Sequence, residues 1–209
     1  MPAPTPTALP AIAASYREAT RAIRRRVIVC AGTGCVANGS LALHAALSAA
    51  LKQAGLDVIL ELDAHDHQPD AVHLSRSGCQ GFCQMGPLVT IQPDNILYCR
   101  VKAEDAPALV EETLRHGRLI ERLLYADPTT GRRHRGVSDI PFYTRQTRSV
   151  LQHCGLIDPE DIREYIALGG YQAADRAFRE MTAESLCAMI AEAGLRGRGG
   201  GGFPTGRKW

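Results

Sequence analysis

The chain has 209 residues, 45% apolar and 22% charged, with a formal net charge of +2. Those totals describe a globular chain with room for one domain of ordinary size and part of a second, and the near-neutral balance gives no push toward nucleic acid. No run of about 18 apolar residues exists, so no membrane span is expected; the most apolar stretch, LALHAALSAALKQAGL, is broken by His44, Lys52 and Gln53.

The N-terminus, MPAPTPTALPAIAASYREATRAIRRR, lacks a basic start followed by an apolar core, so it does not read as a secretory signal. Seven cysteines without such a signal point to a cytoplasmic protein whose thiols stay reduced or bind metal. Residues 1–25 form an expected flexible leader: 1–15 are loose and rich in Pro and Ala, and a short helix begins at Tyr16. Val27-Ile28-Val29 is a β-prone run that feeds directly into Cys30. Ser40 is the expected N-cap of a helix carrying Leu43, Leu47 and Leu51 on one face and ended by Gly55. Val58, Leu60 and Leu62 alternate as in a strand. The segment Ala64–Pro87 is polar and irregular, and its His65, His67 and His73 read as surface-loop residues rather than ligands.

LVTIQ, a Pro93-Asp94-Asn95 turn and ILYCRV predict a β-hairpin. Asp105 and Pro107 open a helix through Leu109 and Leu114 that stops at Gly117. The order β-α-β-loop-β-β-α predicts an α/β unit built on one sheet. Residues 121–150, with four basic side chains in GRRHRG, are expected to be a basic linker, as solvated chain or an interface strand. Asp158 and Pro159 suit the N-cap and first position of a helix ending at Gly169-Gly170. Thr182 caps a last helix carrying Leu186, Met189 and Ile190, with Gly194 as its stop.

The strongest chemical signal is Cys30-x4-Cys35 followed by Cys79-x3-Cys83, each pair in a loop of small residues. Four thiolates in two short-spaced pairs suit a [2Fe–2S] cluster, because glycine lets backbone N–H groups approach sulfur and spread its negative charge. Structural zinc also takes four cysteines, although two residues more often separate the members of a pair. Disulfides are the third reading and need an oxidising compartment. Cys99, Cys154 and Cys187 are isolated and read as structural.

The chain closes on GLRGRGGGGFPTGRKW. Gly201-x4-Gly206 resembles a phosphate loop, but Arg207, Lys208 and Trp209 stand where Lys then Ser or Thr is needed. A helix rather than a strand precedes it, which argues against ATP chemistry and weakens the dinucleotide match at 197–202. Successive glycine N–H groups can still form an anion-binding concavity. Arg198, Arg207 and Lys208 add charge and Phe203 a flat ring, so the loop suits a nucleotide or flavin.

GLRGRGGGGFPTGRKW, with the upstream CGLIDPEDIREYIALGGYQAADRAF, resembles the NADH-binding flavoprotein subunit of complex I and its relatives. CAGTGC and SGCQGFCQMGP resemble the thioredoxin-like [2Fe–2S] ferredoxin domain. Fused in this order, the two look like the β-subunit of NAD(P)-linked, including electron-bifurcating, hydrogenases and of NAD-dependent formate dehydrogenases. The resemblance implies a thioredoxin-like ferredoxin domain over 26–120, followed by the mainly helical start of an FMN/NADH-binding domain over 151–209. It assigns Cys30, Cys35, Cys79 and Cys83 to the cluster. Gly197, Arg198, Gly199, Gly200 and Gly202 are assigned to the flavin and nucleotide site, Phe203 to the nicotinamide and Lys208 to the FMN phosphate region. Gly201 and Arg207 depart from the family's usual Ala and Leu. The implied activity is NADH dehydrogenase or diaphorase chemistry, with a further [4Fe–4S] cluster expected beyond residue 209, so these residues alone are not expected to be competent. Expected partners are a small [2Fe–2S] subunit, a catalytic hydrogenase or formate dehydrogenase subunit, and a ferredoxin. The alternative is a stand-alone [2Fe–2S] ferredoxin or docking module without flavin chemistry of its own.

Overall fold

A computed structural model describes residues 8–21, 23–62 and 71–209. The first seven residues of the leader, His65 and His67 lie outside these. Helix α1 (Leu9–Arg21) precedes strand β1 (Arg25–Cys30), a short helix α2 (Thr33–Ala37) and helix α3 (Ser40–Gln53). Strands β2 (Val58–Ile59), β3 (Val72–Ser77), β4 (Val89–Gln92) and β5 (Ile96–Tyr98) follow. They form one five-stranded sheet in the order β2-β3-β1-β4-β5. β1 pairs in parallel with β3 and antiparallel with β4, and β4 and β5 make the expected hairpin. Helix α4 (Ala106–Ala108) runs on as a π-helical stretch, Leu109–Arg115, and ends at Gly117, whose φ of +67° suits glycine.

Side chains on a strand alternate between faces, so odd and even positions part company here. Val27, Val29, Val72, Leu74, Val89, Ile91, Ile96 and Tyr98 turn to one face and pack with Leu43, Leu47, Leu51, Leu109 and Val110 of the helices. The other face carries Ile28, Cys30, His73, Ser75, Ser77 and Thr90, all buried. β3 was not apparent in the sequence, where Ala64–Pro87 reads as irregular. Its His73, Ser75 and Ser77 occupy this second face, under cover from the C-terminal half, and on the first face Val72 and Leu74 carry the apolar alternation before Arg76. In the expected strand Val58–Leu62, only Val58 and Ile59 pair, and Leu60 is exposed.

The leader is helical from Leu9 rather than loose to residue 15. Ala13 and Tyr16, with Leu9 and Ile12 beside them, pack against Ile166 and Ala167 of helix α6 (Ile162–Ala167). Burial of that stripe, not propensity, sustains so short a helix. Gly39, in a left-handed conformation (φ +90°), precedes α3 in the cap position expected for Ser40, whose buried hydroxyl has no partner among the described residues. Asp161, not Asp158, caps α6: its carboxylate accepts from the Arg163 N–H at 2.9 Å.

The segment expected to be a basic linker carries a two-stranded ribbon, β6 (Tyr125–Ala126) with β7 (Arg133–His134), and a short helix α5 (Pro141–Thr144). His134, Ile140 and Tyr143 are buried. The apolar members of this stretch supply a second, smaller core around the cysteines. Further on lie α7 (Gln172–Glu180), α8 (Ala183–Glu192) and α9 (Thr205–Lys208). Thr182 and Ser185 form a reciprocal cap on α8, with N–H to hydroxyl distances of 3.0 and 3.2 Å.

Candidate metal centre and glycine loop

Cys30 is the last residue of β1 and Cys35 lies in α2; Cys79 follows β3 and Cys83 opens a 3-10 turn, Cys83–Met85. β1 and β3 run parallel, with Cys30 opposite Ser77, so both loops leave the same end of the sheet. This is the carboxyl end of parallel strands, where α/β sheets hold their ligands. The sequence-distant pairs thereby become neighbours.

The sulfurs form two pairs. Cys79 Sγ lies 4.0 Å from Cys83 Sγ on the exposed side. The Cys30 and Cys35 thiols, both buried, form the other pair. The neighbouring Cys35 thiol brings Cys30 down to about 6 despite its burial, with N–H groups of Gln80 and Gly32 helping. The same interaction, followed by burial, pushes Cys35 above the ordinary thiol range. The hydrogen bond with Cys79 likewise raises Cys83.

Three glycines lock the two loops together. A Cβ on Gly32 would lie 2.8 Å from Cys79 Cβ and 3.1 Å from its sulfur, and one on Gly34 would lie 3.6 Å from Cys83 Sγ. In the opposite sense, a Cβ on Gly86 would lie 2.6 Å from Cys35 Sγ. The first loop presses on the second pair of sulfurs, and the second loop presses on the first. The Gly81 N–H also points at Cys79 Sγ, at 3.4 Å.

Among the described residues, no three His, Cys, Asp or Glu side chains converge on the position of a single metal ion. Cys99 is buried behind this site, and burial pushes its thiol up to about 12. Phe82, between Cys79 and Cys83, stacks on Phe142 at 4.4 Å and meets Tyr143 and Tyr125 at 5.6 and 5.2 Å. Nothing in the cysteine spacing announces Phe142 and Tyr143; an aromatic pair in a chain only 5% aromatic was the available signal.

The glycine loop stands apart on the C-terminal helices. Arg196 and Pro204 bridge its stem, the Gly197 N–H donates to the Phe203 carbonyl at 2.9 Å, and Arg196 Nε donates to the Gly202 carbonyl at 2.6 Å. Gly200 and Gly202 have φ of +115° and +57°, and among the described residues nothing lies within 4 Å of a Cβ built on Gly199, Gly200 or Gly201. Arg198 is exposed, Phe203 is 54% exposed, and the Arg207 guanidinium sits 5.9 Å from the centre of the Phe203 ring. Lys208 closes α9. Gly206 serves packing instead: a Cβ there would lie 2.5 Å from the backbone nitrogen of Ala191 in α8. Gly197 to Phe203 thus form one open loop of bare backbone with cations beside it.

The fold is an α/β unit whose parallel strands β1 and β3 carry two cysteine loops at one end, extended by a helical segment that carries a glycine loop. No family model matches the chain. It is 48% identical over 65 residues to the HndC subunit of the NADP-reducing hydrogenase of Solidesulfovibrio fructosivorans. It is 42% identical over 60 residues to an NADH-quinone oxidoreductase subunit of Rhizobium meliloti. These stretches cover 31% and 29% of the chain, and only 13% and 14% of those relatives. It is 35% identical over 63 residues to a 2Fe-2S ferredoxin of Clostridium pasteurianum, which covers 30% of the chain and 61% of that protein. Among solved structures, the thioredoxin-like [2Fe-2S] ferredoxin from Aquifex aeolicus overlays 48% of the chain and 89% of its own at 27% identity, with a TM-score of 0.39. An NAD+-reducing [NiFe]-hydrogenase overlays 96% of the chain and 30% of its own at 18% identity and the same TM-score. The homologues are therefore of two kinds, small 2Fe-2S ferredoxins and subunits of NADH- or NADP-linked oxidoreductases. No helix among the described residues is long and apolar enough to cross a membrane.

Proposed function

We propose that this chain is the front of an electron-transfer subunit in a cytoplasmic NAD(P)H-linked oxidoreductase of the hydrogenase or formate dehydrogenase type. The observation that carries this reading is the pair of interlocked cysteine loops at the carboxyl end of β1 and β3. In this reading residues 26–120 form the ferredoxin unit, and Cys30, Cys35, Cys79 and Cys83 hold a [2Fe–2S] cluster. Residues 151–209 begin the flavin domain, with Gly197, Arg198, Gly199, Gly200, Gly202, Phe203 and Lys208 on one wall of the FMN and nucleotide site. When bound, FMN converts a two-electron hydride into single electrons and the cluster carries them one at a time.

The chain's own residues do the holding. Bare glycine N–H groups and the Arg198 charge attract phosphate, and Phe203 offers a stacking face. The Gly81 N–H spreads charge from the Cys79 sulfur, and Phe82, Phe142 and Tyr143 keep water from one side. Val150 and Phe178 are 93% and 87% exposed, which supports a flavin domain completed by residues or partners beyond this segment.

Anaerobically isolated protein is expected to contain iron and acid-labile sulfide, with visible absorption that bleaches on reduction. Zinc without iron would overturn the reading. Titrated with FMN and NADH, the 209-residue chain is expected to bind weakly and to show no diaphorase turnover; tight binding with turnover would mean a self-sufficient site. Gly86→Ala, whose new methyl collides with Cys35 Sγ, is expected to weaken metal retention about 10–100-fold, the size of an outer-shell change. Iron content after dialysis against a chelator measures it.

A further inference from the structure

All three residues between Cys79 and Cys83 are held by residues 142–148. Arg148 Nη2 donates to the Gln80 carbonyl at 2.7 Å. Gly81 has φ of +87°, and a Cβ on it would lie 2.9 Å from Arg148 Nη2, so the guanidinium fills the space a side chain would take. Phe142 lies flat on Phe82, with 7° between the rings, and Tyr143 meets Phe82 at 81°. The Arg148 guanidinium also sits 5.1 Å from the centre of the Tyr143 ring, which fixes it from a second side.

The Gln80–Gly81 peptide joins these contacts to the sulfur. Its carbonyl accepts from Arg148, and its N–H donates to Cys79 Sγ at 3.4 Å. A cation pulling on one end of a peptide polarises it and strengthens donation from the other end. The segment is half-buried at Arg148, where a charge is screened less than in bulk water.

We propose that Arg148 is a positioning residue that raises the reduction potential of the iron–sulfur centre, acting through the Gln80–Gly81 peptide on the Cys79 thiolate. This rests on the cluster reading given above. One-electron reduction adds one negative charge to the centre and breaks no bond. The Arg148 charge and the hydrogen bond it sharpens both favour that more negative state, and charge and hydrogen bonds to sulfur are the quantities that set such potentials.

The test is a dithionite titration of the full chain with redox mediators, followed by visible absorption and electron paramagnetic resonance. In Arg148→Gln, which can keep the hydrogen bond but loses the charge, the reduced-to-oxidised ratio at the wild-type midpoint is expected to fall about tenfold, a shift of about 59 mV for one electron. Arg145→Gln removes an exposed cation three positions away and is expected to leave the midpoint in place. Arg148→His supplies an independent reading if the glutamine variant does not retain iron. Its midpoint is expected to fall as pH rises through about 6.5, where an imidazole loses its charge, with no such step in the wild type. A wild-type midpoint in Arg148→Gln, an equal shift in Arg145→Gln, or a histidine variant without the step would each overturn the proposal while the cluster stands. A wild-type chain without iron and sulfide would remove the cluster reading itself, and this proposal with it.

Discussion

Replacing Cys35 with serine is expected to strip the chain of most of its iron and sulfide while leaving its helical circular dichroism intact. Cys35 is buried, paired with Cys30, and pressed by Gly86. Its environment is built around a sulfur that the sheet core does not need. The large apolar core lies on the other face of the sheet, around Leu43, Leu47 and Tyr98. Iron content is expected to drop at least about tenfold, since outer-shell changes alone reach that size. Cys99→Ser is the matched control: Cys99 is equally buried but outside the two pairs, and its iron content is expected to match the wild type. Full iron in Cys35→Ser would remove this cysteine from the ligand set. Loss of helical signal together with iron would mean that the cysteines serve folding first.

Arg26→Met is expected to destabilise the fold by about 3–5 kcal/mol, the cost of leaving one partner of a buried ion pair alone. Arg26 Nη2 donates to Glu164 Oε2 at 2.9 Å, and Nη1 donates to Oε1 in parallel. The two side chains are 13% and 8% exposed, so solvent screens the pair weakly. Arg26 Nε also reaches Ser75 Oγ at 3.0 Å, and Glu164 accepts from the Asp158 N–H at 2.8 Å. One ion pair therefore ties the start of β1, the polar face of β3 and the C-terminal helix α6. The midpoint of thermal unfolding is expected to fall by about 6–20 °C for a chain of this size. Arg26→Met combined with Glu164→Leu is expected to recover most of that, because a buried pair replaced by apolar groups is often near neutral. Recovery stays incomplete, since the Asp158 N–H loses its acceptor. An unchanged midpoint in Arg26→Met would show that the pair is solvated and that the two halves are held together by apolar contact alone.

Much of the first hundred residues was legible because their signals are local. Leu43, Leu47 and Leu51 recur at helical spacing, and the Pro93-Asp94-Asn95 turn sits between two apolar runs; both became the expected elements. Helix α8 was legible at both ends, through the Thr182 cap and Gly194, which adopts φ of +67°. β3 was not, because half of its residues are polar and buried only by a face that other parts of the chain complete. The stretch around Ile140, Phe142, Tyr143 and Arg148 read as linker for a related reason. Its charge count is that of solvated chain, and its few apolar and aromatic residues matter only once Phe82 stands in front of them.

By itself the sequence determined the chemistry on offer: two pairs of sulfur donors set among small residues, and a run of glycines flanked by cations. Residue type and short spacing are local properties, and they survive without a fold. Tertiary structure alone decided that the two sulfur pairs meet. That follows from β1 and β3 being parallel neighbours with their ends in register, which no short-range pattern encodes. It also decided which glycines approach sulfur, separating Gly32, Gly34 and Gly86 from Gly206, which packs against a helix. Close approach depends on what the rest of the chain brings to the same few ångströms, and only the assembled fold supplies that.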